Sequence, residues 1–287
     1  MAILEVRNLT HTYRENSTFV NDAVSDVSFK INDGEIIGII GHTGSGKSTL
    51  VQHLNGLLKP TDGTVLFCDE DIWENPKEIR KIRSKVGLVF QYPEYQLFEE
   101  TVFSDIAFGP KNMGLIGEEL DTCVREICGI VGVKEEYFDK SPFDLSGGEK
   151  RRVAIAGVMA MKPKVIVFDE PTAGLDPRGR EIIMNIIREY RKFTGATVII
   201  ISHSMEDMAE LTDRIIVLNK GRLFKFGTPY EVFGDAEGLR SIGLNVPIVT
   251  QVFSKLKDLG VDVDTNVFTV DSAVAELKRI KGGCADA

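Results

Sequence analysis

Gly41-His42-Thr43-Gly44-Ser45-Gly46-Lys47-Ser48-Thr49 decides the fold. It matches G-x-x-x-x-G-K-[ST], the phosphate-binding loop. Just before it, Ile36-Ile37-Gly38-Ile39-Ile40 is a short apolar run suited to a buried parallel strand. After it, Leu50, Val51 and Leu54 mark one face of a helix that ends near Asn55-Gly56. This order places a helix N-terminus at the loop, where free N–H groups and the helix dipole favour an anion. Gly44 and Gly46 let the backbone curl its N–H groups inward with no Cβ in the way. Lys47 adds a point charge for β- and γ-phosphates, and the Ser48 hydroxyl is a candidate Mg²⁺ ligand.

Upstream, residues 3–40 read as strands. Val27, Phe29 and Ile31 alternate with Ser28 and Lys30, the pattern of a half-buried antiparallel strand. Asp33-Gly34 is a turn, which predicts a hairpin into the loop strand. Tyr13 lies in this first sheet, where an aromatic ring can stack on a base or simply pack.

Downstream, apolar runs end in polar residues. Val86-Gly87-Leu88-Val89-Phe90 leads to Gln91, a candidate metal ligand or water-orienting group, or else a cap. Val165-Ile166-Val167-Phe168 leads to Asp169-Glu170. Two adjacent carboxylates at a buried strand exit repel each other unless a cation is near. Asp169 therefore reads as a Mg²⁺ holder and Glu170 as the group that orients or deprotonates water. Thr197-Val198-Ile199-Ile200-Ile201 leads to Ser202-His203, so His203 joins Gln91 and Asp169 at strand termini. Arg214 to Leu218 and Arg222 to Phe226 read as a closing hairpin.

Between these strands, residues 92–145 carry Pro93, Pro110, Pro142 and several glycines among helical patterns, with no buried-strand run. This is a helical insert, about 92–160 with the helix that closes it. Ser146-Gly147-Gly148-Glu149 opens that helix, with Ser146 as N-cap and Glu149 completing a capping box. Ala173-Gly174-Leu175-Asp176 is a turn before a helix from Pro177 to Thr194. Beyond residue 229 the sheet pattern stops. Pro247 to Leu259 and Asp271 to Ile280 are candidate helices, too short to form a core of their own, and Lys281 to Ala287 reads as a frayed tail.

The totals set limits. The 287 residues suffice for one large α/β domain, 1–228, and an appendage, 229–287. A net charge of −9 argues against nucleic acid as a partner. Cys68, Cys123, Cys128 and Cys284 form no C-x-x-C pair, and reduced thiols fit a cytosolic protein. No basic stretch followed by an apolar one opens the chain, so no signal peptide is expected. No apolar run approaches spanning length, so any work at a membrane needs another chain to hold this one there.

Leu145-Ser146-Gly147-Gly148-Glu149 resembles the signature motif of ATP-binding cassette (ABC) ATPases. It lies between a phosphate loop and Asp169-Glu170, with Gln91, Asp176 and His203 at the Q-loop, D-loop and switch-histidine positions. The segments Gln91 to Val102 and Phe108 to Asn112 resemble ATPase subunits of energy-coupling factor (ECF) importers. His42-Thr43-Gly44 and Gln52 to Gly56 resemble the second of their two ATPase types, and residues 229–287 resemble that family's dimer-contact region more loosely.

The resemblance implies a mixed, largely parallel P-loop sheet with an antiparallel β subdomain, the helical insert and a small C-terminal α appendage. It implies ATP and Mg²⁺ as ligands, with Tyr13 stacking on adenine and Ser48, Gln91 and Asp169 near the metal. It gives Glu170, His203 and Gln91 to catalysis and Asp176 to coupling between two sites. Ser146, Gly147, Gly148 and Glu149 would act on the ATP of a second ATPase subunit. Glu94, Tyr95, Phe98, Glu99 and Glu100 would meet a transmembrane coupling (T) subunit that works with a substrate-binding (S) subunit. The chain would then be peripheral, on the cytoplasmic face of the membrane. An ordinary importer or exporter ATPase would share this chemistry and differ in its partner, and the segment 91–112 argues against it. A soluble cassette acting on DNA or ribosomes would call for heptads, a second cassette or a basic face, none of which is present. A small-molecule kinase leaves Leu145 to Glu149 unexplained.

Overall fold

The computed structural model describes residues 1–15 and 19–283. Strands β1 (Ala2–Glu15) and β2 (Phe19–Asn32) precede β3 (Ile36–Ile40) and helix α1 (Lys47–Leu54). Then come β4 (Asp62–Phe67), β5 (Glu70–Asp71), α2 (Ile79–Lys85) and β6 (Val86–Val89). The insert holds α3 (Val102–Asn112), α4 (Gly117–Val131) and α5 (Gly147–Met159). The chain returns through β7 (Val165–Asp169), α6 (Pro177–Thr194), β8 (Thr197–Ile201), α7 (Met205–Leu211), β9 (Arg214–Asn219) and β10 (Arg222–Gly227). Four helices finish it: α8 (Pro229–Phe233), α9 (Ala236–Ser241), α10 (Ile248–Asp258) and α11 (Val270–Gly283).

The strands form two sheets, ordered β2-β1-β4-β5 and β10-β9-β3-β8-β7-β6. The first is antiparallel. In the second, β3, β6, β7, β8 and β9 run parallel and β10 turns back along β9. The expected hairpin from β2 into β3 does not form. The chain does turn at Gly34 (φ +76°), but β2 pairs with β1 and β3 enters the other sheet. A turn residue fixes a local reversal and leaves the choice of sheet to long-range burial.

The two-residue period divides the apolar runs between two cores. Val165 and Val167 of β7, with Ile199 and Ile201 of β8, face α1 and the antiparallel sheet. Ile166, Phe168, Val198 and Ile200 face the opposite way, into the helices of the insert and α6. The inner strands β3, β7 and β8 are thus covered on both sides, which explains why they lack polar alternation. The C-terminal region departs from expectation. Its described residues form four helices where the sequence predicts two, and Phe253, Val263, Val267 and Ala273 make a small core of their own. Leu244 and Val246 tie it to the main core. Lys281 belongs to α11, and residues 284–287 of the predicted tail lie outside the described residues, as do residues 16–18 of the predicted first strands.

Candidate nucleotide site

Parallel pairing brings the C-terminal ends of β3, β6, β7 and β8 to one edge of the sheet, where open α/β sheets bind ligands. The phosphate loop leaves β3 there. Gly46 has φ +97° and a Cβ on it would run into the Ala23 carbonyl, so only glycine fits. The loop is pinned from outside as well. Gly221 N–H donates to the Ser45 carbonyl at 3.1 Å, and Ser25 N–H donates to the Gly221 carbonyl at 2.8 Å. The buried Lys47 ammonium donates to the carbonyls of Gly41 (2.7 Å) and His42 (2.9 Å), leaving one N–H for a ligand. Burial lowers the Lys47 pKa.

Asp169 and Glu170 leave β7 beside this loop. Burial raises the Asp169 pKa, against the effect of a hydrogen bond from Ser48. Glu170 has φ +49°, a left-handed conformation that costs energy for a residue with a Cβ, and its N–H donates to the Ile201 carbonyl at 3.1 Å. This geometry turns its carboxylate toward two neighbouring strand ends. Oε1 is 2.7 Å from His203 Nε2, and Oε2 accepts the Gln91 amide at 3.0 Å. The structure therefore brings together Gln91, Glu170 and His203, with Lys47, Ser48 and Asp169 alongside.

Ser48, Asp169 and the Gln91 amide oxygen offer a hard oxygen donor set, which fits Mg²⁺. Among the described residues no group of three or more His, Cys, Asp or Glu side chains could hold a metal.

Tyr13 is 40% exposed on β1, and its hydroxyl is 3.5 Å from Thr49 Oγ1. Gly44 (φ +79°) is open on its Cβ side. His42 is exposed, and a Cβ built on Gly243 would lie 2.7 Å from its Nε2, so the C-terminal region abuts the loop.

The Ser146–Glu149 turn is elsewhere, and no described hydrogen bond joins it to residues 41–49. Its capping box is closed: Glu149 Oε2 accepts from the Ser146 hydroxyl (2.6 Å) and backbone N–H (2.9 Å). The Ser146 hydroxyl holds the Glu149 pKa down to about 2. Gly147 and Gly148 are exposed, and a Cβ on either would touch nothing within 4 Å. Asp176 caps α6 by accepting the Gly179 N–H at 2.8 Å.

Of the predicted membrane-facing residues, Phe98 lines a groove of about 940 Å³ between α2, α3 and α5, with Arg83, Asp105, Phe108 and Met161. Tyr95 is 85% exposed, and Glu100 is exposed. Glu99 N–H donates to Asp105 at 3.1 Å. Glu94 is turned inward, 3.2 Å from the buried Arg151, which also donates to the Ala173 carbonyl (2.9 Å) and lies over the Tyr92 ring.

Sequence reasoning missed Arg151, the link from α5 to the segments on either side of the Glu170 site. It also missed Arg180, whose guanidinium pairs with Asp207 (2.7 Å) and holds α7, the helix after His203, against α6. Both arginines carry no local signal, because their partners are distant in the chain.

A family model described as ABC transporter matches residues 24–173. The energy-coupling factor transporter ATP-binding protein EcfA2 of Clostridium tetani is 51% identical over 278 residues, 96% of each chain. That of Caldanaerobacter subterraneus subsp. tengcongensis is 51% identical over 280 residues, 98% of each. Among solved structures, cbiO1 from Clostridium perfringens, part of the ABC transporter complex cbiONQ, has a TM-score of 0.74 and 38% identity, covering 90% of this chain and 98% of that one. A dimeric post-hydrolysis state of the ATP-binding cassette MJ0796, bound to ADP and Pi, has a TM-score of 0.71 and 30% identity, covering 79% and 98%.

Proposed function

The chain belongs to the ABC transporter family, and from that premise we propose that it is an ATP-binding and ATP-hydrolysing subunit of an energy-coupling factor transporter. Its work is to drive uptake of vitamins or other micronutrients. The observation that carries the chemistry is the Glu170 carboxylate, held by His203 and Gln91 beside the phosphate loop.

Tyr13 stacks on adenine. Residues Gly41 to Thr49 wrap the phosphates, with Lys47 on the β- and γ-phosphates. Ser48, Asp169 and Gln91 are the side chains that would hold Mg²⁺, which offsets phosphate charge when bound. Glu170 orients a water and takes its proton as the water oxygen attacks the γ-phosphorus and the bond to the β-phosphate breaks. His203 steadies Glu170 and contacts the γ-phosphate.

Ser146, Gly147, Gly148 and Glu149 act on the ATP of a second ABC ATPase subunit. The exposure of Gly147 and Gly148 at the helix N-terminus supports this reading. Among the described residues nothing lies within 4 Å of a Cβ at 147 or 148, which leaves these positions open to close approach by an outside group. Glu149 locks the turn that presents them. Asp176 couples the two sites. ATP closes the pair and hydrolysis reopens it, because the γ-phosphate contacts differ between the states. The pair is homo- or heteromeric, and residues 229–287 add to its contacts. Exposed Leu259, Val270 and Leu277 support that role.

The groove beside Phe98 receives the coupling subunit (T component), with Tyr95, Glu99 and Glu100 at its edge, and the substrate-binding S component completes the transporter. Glu94 contributes through Arg151. Among the described residues no helix is long and apolar enough to cross a membrane. We place the chain at the cytoplasmic face as a peripheral subunit.

The test is a detergent-solubilised pull-down with this chain as bait. A second ATPase and two membrane subunits should copurify and hydrolyse Mg-ATP together. Recovery of the bait without membrane subunits would contradict the reading.

A further inference from the structure

Four residues close a ring of contacts between β1 and α1. Tyr13 meets His11 edge to face, with centroids 4.6 Å apart and planes at 79°. His11 meets His53 of α1 in the same manner, at 4.7 Å and 67°. His53 is fully buried, and its Nδ1 is 2.7 Å from the Thr49 carbonyl. The Tyr13 hydroxyl returns to Thr49 Oγ1 at 3.5 Å. Thr49, the residue directly after Ser48 of the phosphate-loop motif, anchors both ends of this circuit.

The state of His53 follows from its partners. A carbonyl oxygen only accepts, so Nδ1 carries the proton. Burial holds the His53 pKa down to about 4, against the raising effect of the Thr49 and Lys59 backbone groups, so the ring is neutral at physiological pH. His11 Nδ1 and His53 Nε2 find no hydrogen-bond partner among the described residues. The packing of the two imidazoles is therefore aromatic, ring edge on ring face, which fixes angles as well as distances.

We propose that His11 and His53 are positioning residues for the nucleotide base, propping the Tyr13 ring against the α1 helix so that base stacking and phosphate binding belong to one rigid unit. The proposal rests on Tyr13 being the base-stacking residue. An exposed tyrosine on a strand can adopt several rotamers, and the histidine pair selects one before the nucleotide arrives.

The experiment compares affinities for Mg-ATP and for inorganic triphosphate, by calorimetry on the full chain. His11→Ala and His53→Ala should each weaken ATP binding about two- to tenfold while triphosphate binding stays unchanged. His11→Phe, which keeps an aromatic edge against Tyr13, should restore ATP affinity. Equal losses for both ligands, or no loss for ATP, would overturn the proposal. Tyr13→Ala separates the two layers of argument. If it leaves the ratio of affinities unchanged, the base-stacking reading fails and the proposal with it. If it shifts the ratio and the histidine variants do not, only the histidine proposal fails. Should His53→Ala not fold, the two half-buried His11 variants carry the test alone.

Discussion

His203 Nε2 stands 2.7 Å from Glu170 Oε1, across the gap between the ends of two adjacent parallel strands. Gln91 holds the other carboxylate oxygen at 3.0 Å from a third strand. A carboxylate held on both oxygens has a fixed plane, which is what a water-orienting base needs. Glu170→Gln should bind Mg-ATP with near-normal affinity and lose turnover by about 10²- to 10⁴-fold. His203→Ala should lose turnover too. Equilibrium binding with single-turnover assays reads both, and near-normal turnover in Glu170→Gln removes Glu170 from its role.

The groove between α2, α3 and α5 makes a separate prediction. Phe98→Ala and Glu99→Lys should abolish copurification of membrane subunits and leave Mg-ATP binding intact. Glu94→Lys should act differently. It strips a partner from Arg151, whose side chain is only 3% exposed, so it should also lower thermal stability. Retained copurification in the Phe98 and Glu99 variants would count against this surface.

His53 gives the fold a pH dependence. The folded state keeps it neutral, with a pKa of about 4, while the unfolded chain protonates near 6.5. The unfolded state therefore binds more protons between those values, and stability falls as pH drops through that window. Between pH 6.5 and 5 the loss from this residue should be roughly 1–2 kcal/mol. Denaturant titrations should show that slope in the wild type and a flatter one in His53→Gln. Identical slopes would assign the effect to other groups.

Gly243 has φ +77° and backs onto the His42 ring. Gly243→Val should push that ring into the phosphate loop and weaken nucleotide binding several-fold, beyond any loss from backbone strain. Adding His42→Ala should recover part of the affinity. If the double variant binds no better than Gly243→Val, strain alone explains the loss.

Local signals made much of this legible. The apolar runs of β3, β7 and β8, the alternation in β2 and the capping box at Ser146 are each complete within a few residues, and each appears where expected. What stayed hidden is non-local. Which sheet β3 joins depends on Val198 and Ile215, far along the chain. Helices α8 and α9 have five and six residues, too few to show a period. Arg151 reads as one more helix cation until Glu94, 57 residues away, is seen against it. The same holds for His11 and His53, whose contact unites the first strand with the helix after the loop.

In the function proposed above the site is completed by another subunit, and hydrolysis as a function of association state tests that most directly. Turnover per chain should be measured with light scattering on the same sample, alone and with the partner ATPase added. Strictly monomeric chain should bind Mg-ATP and cleave it at a negligible rate, with turnover appearing as the pair forms. Full-rate cleavage by a verified monomer would contradict the account.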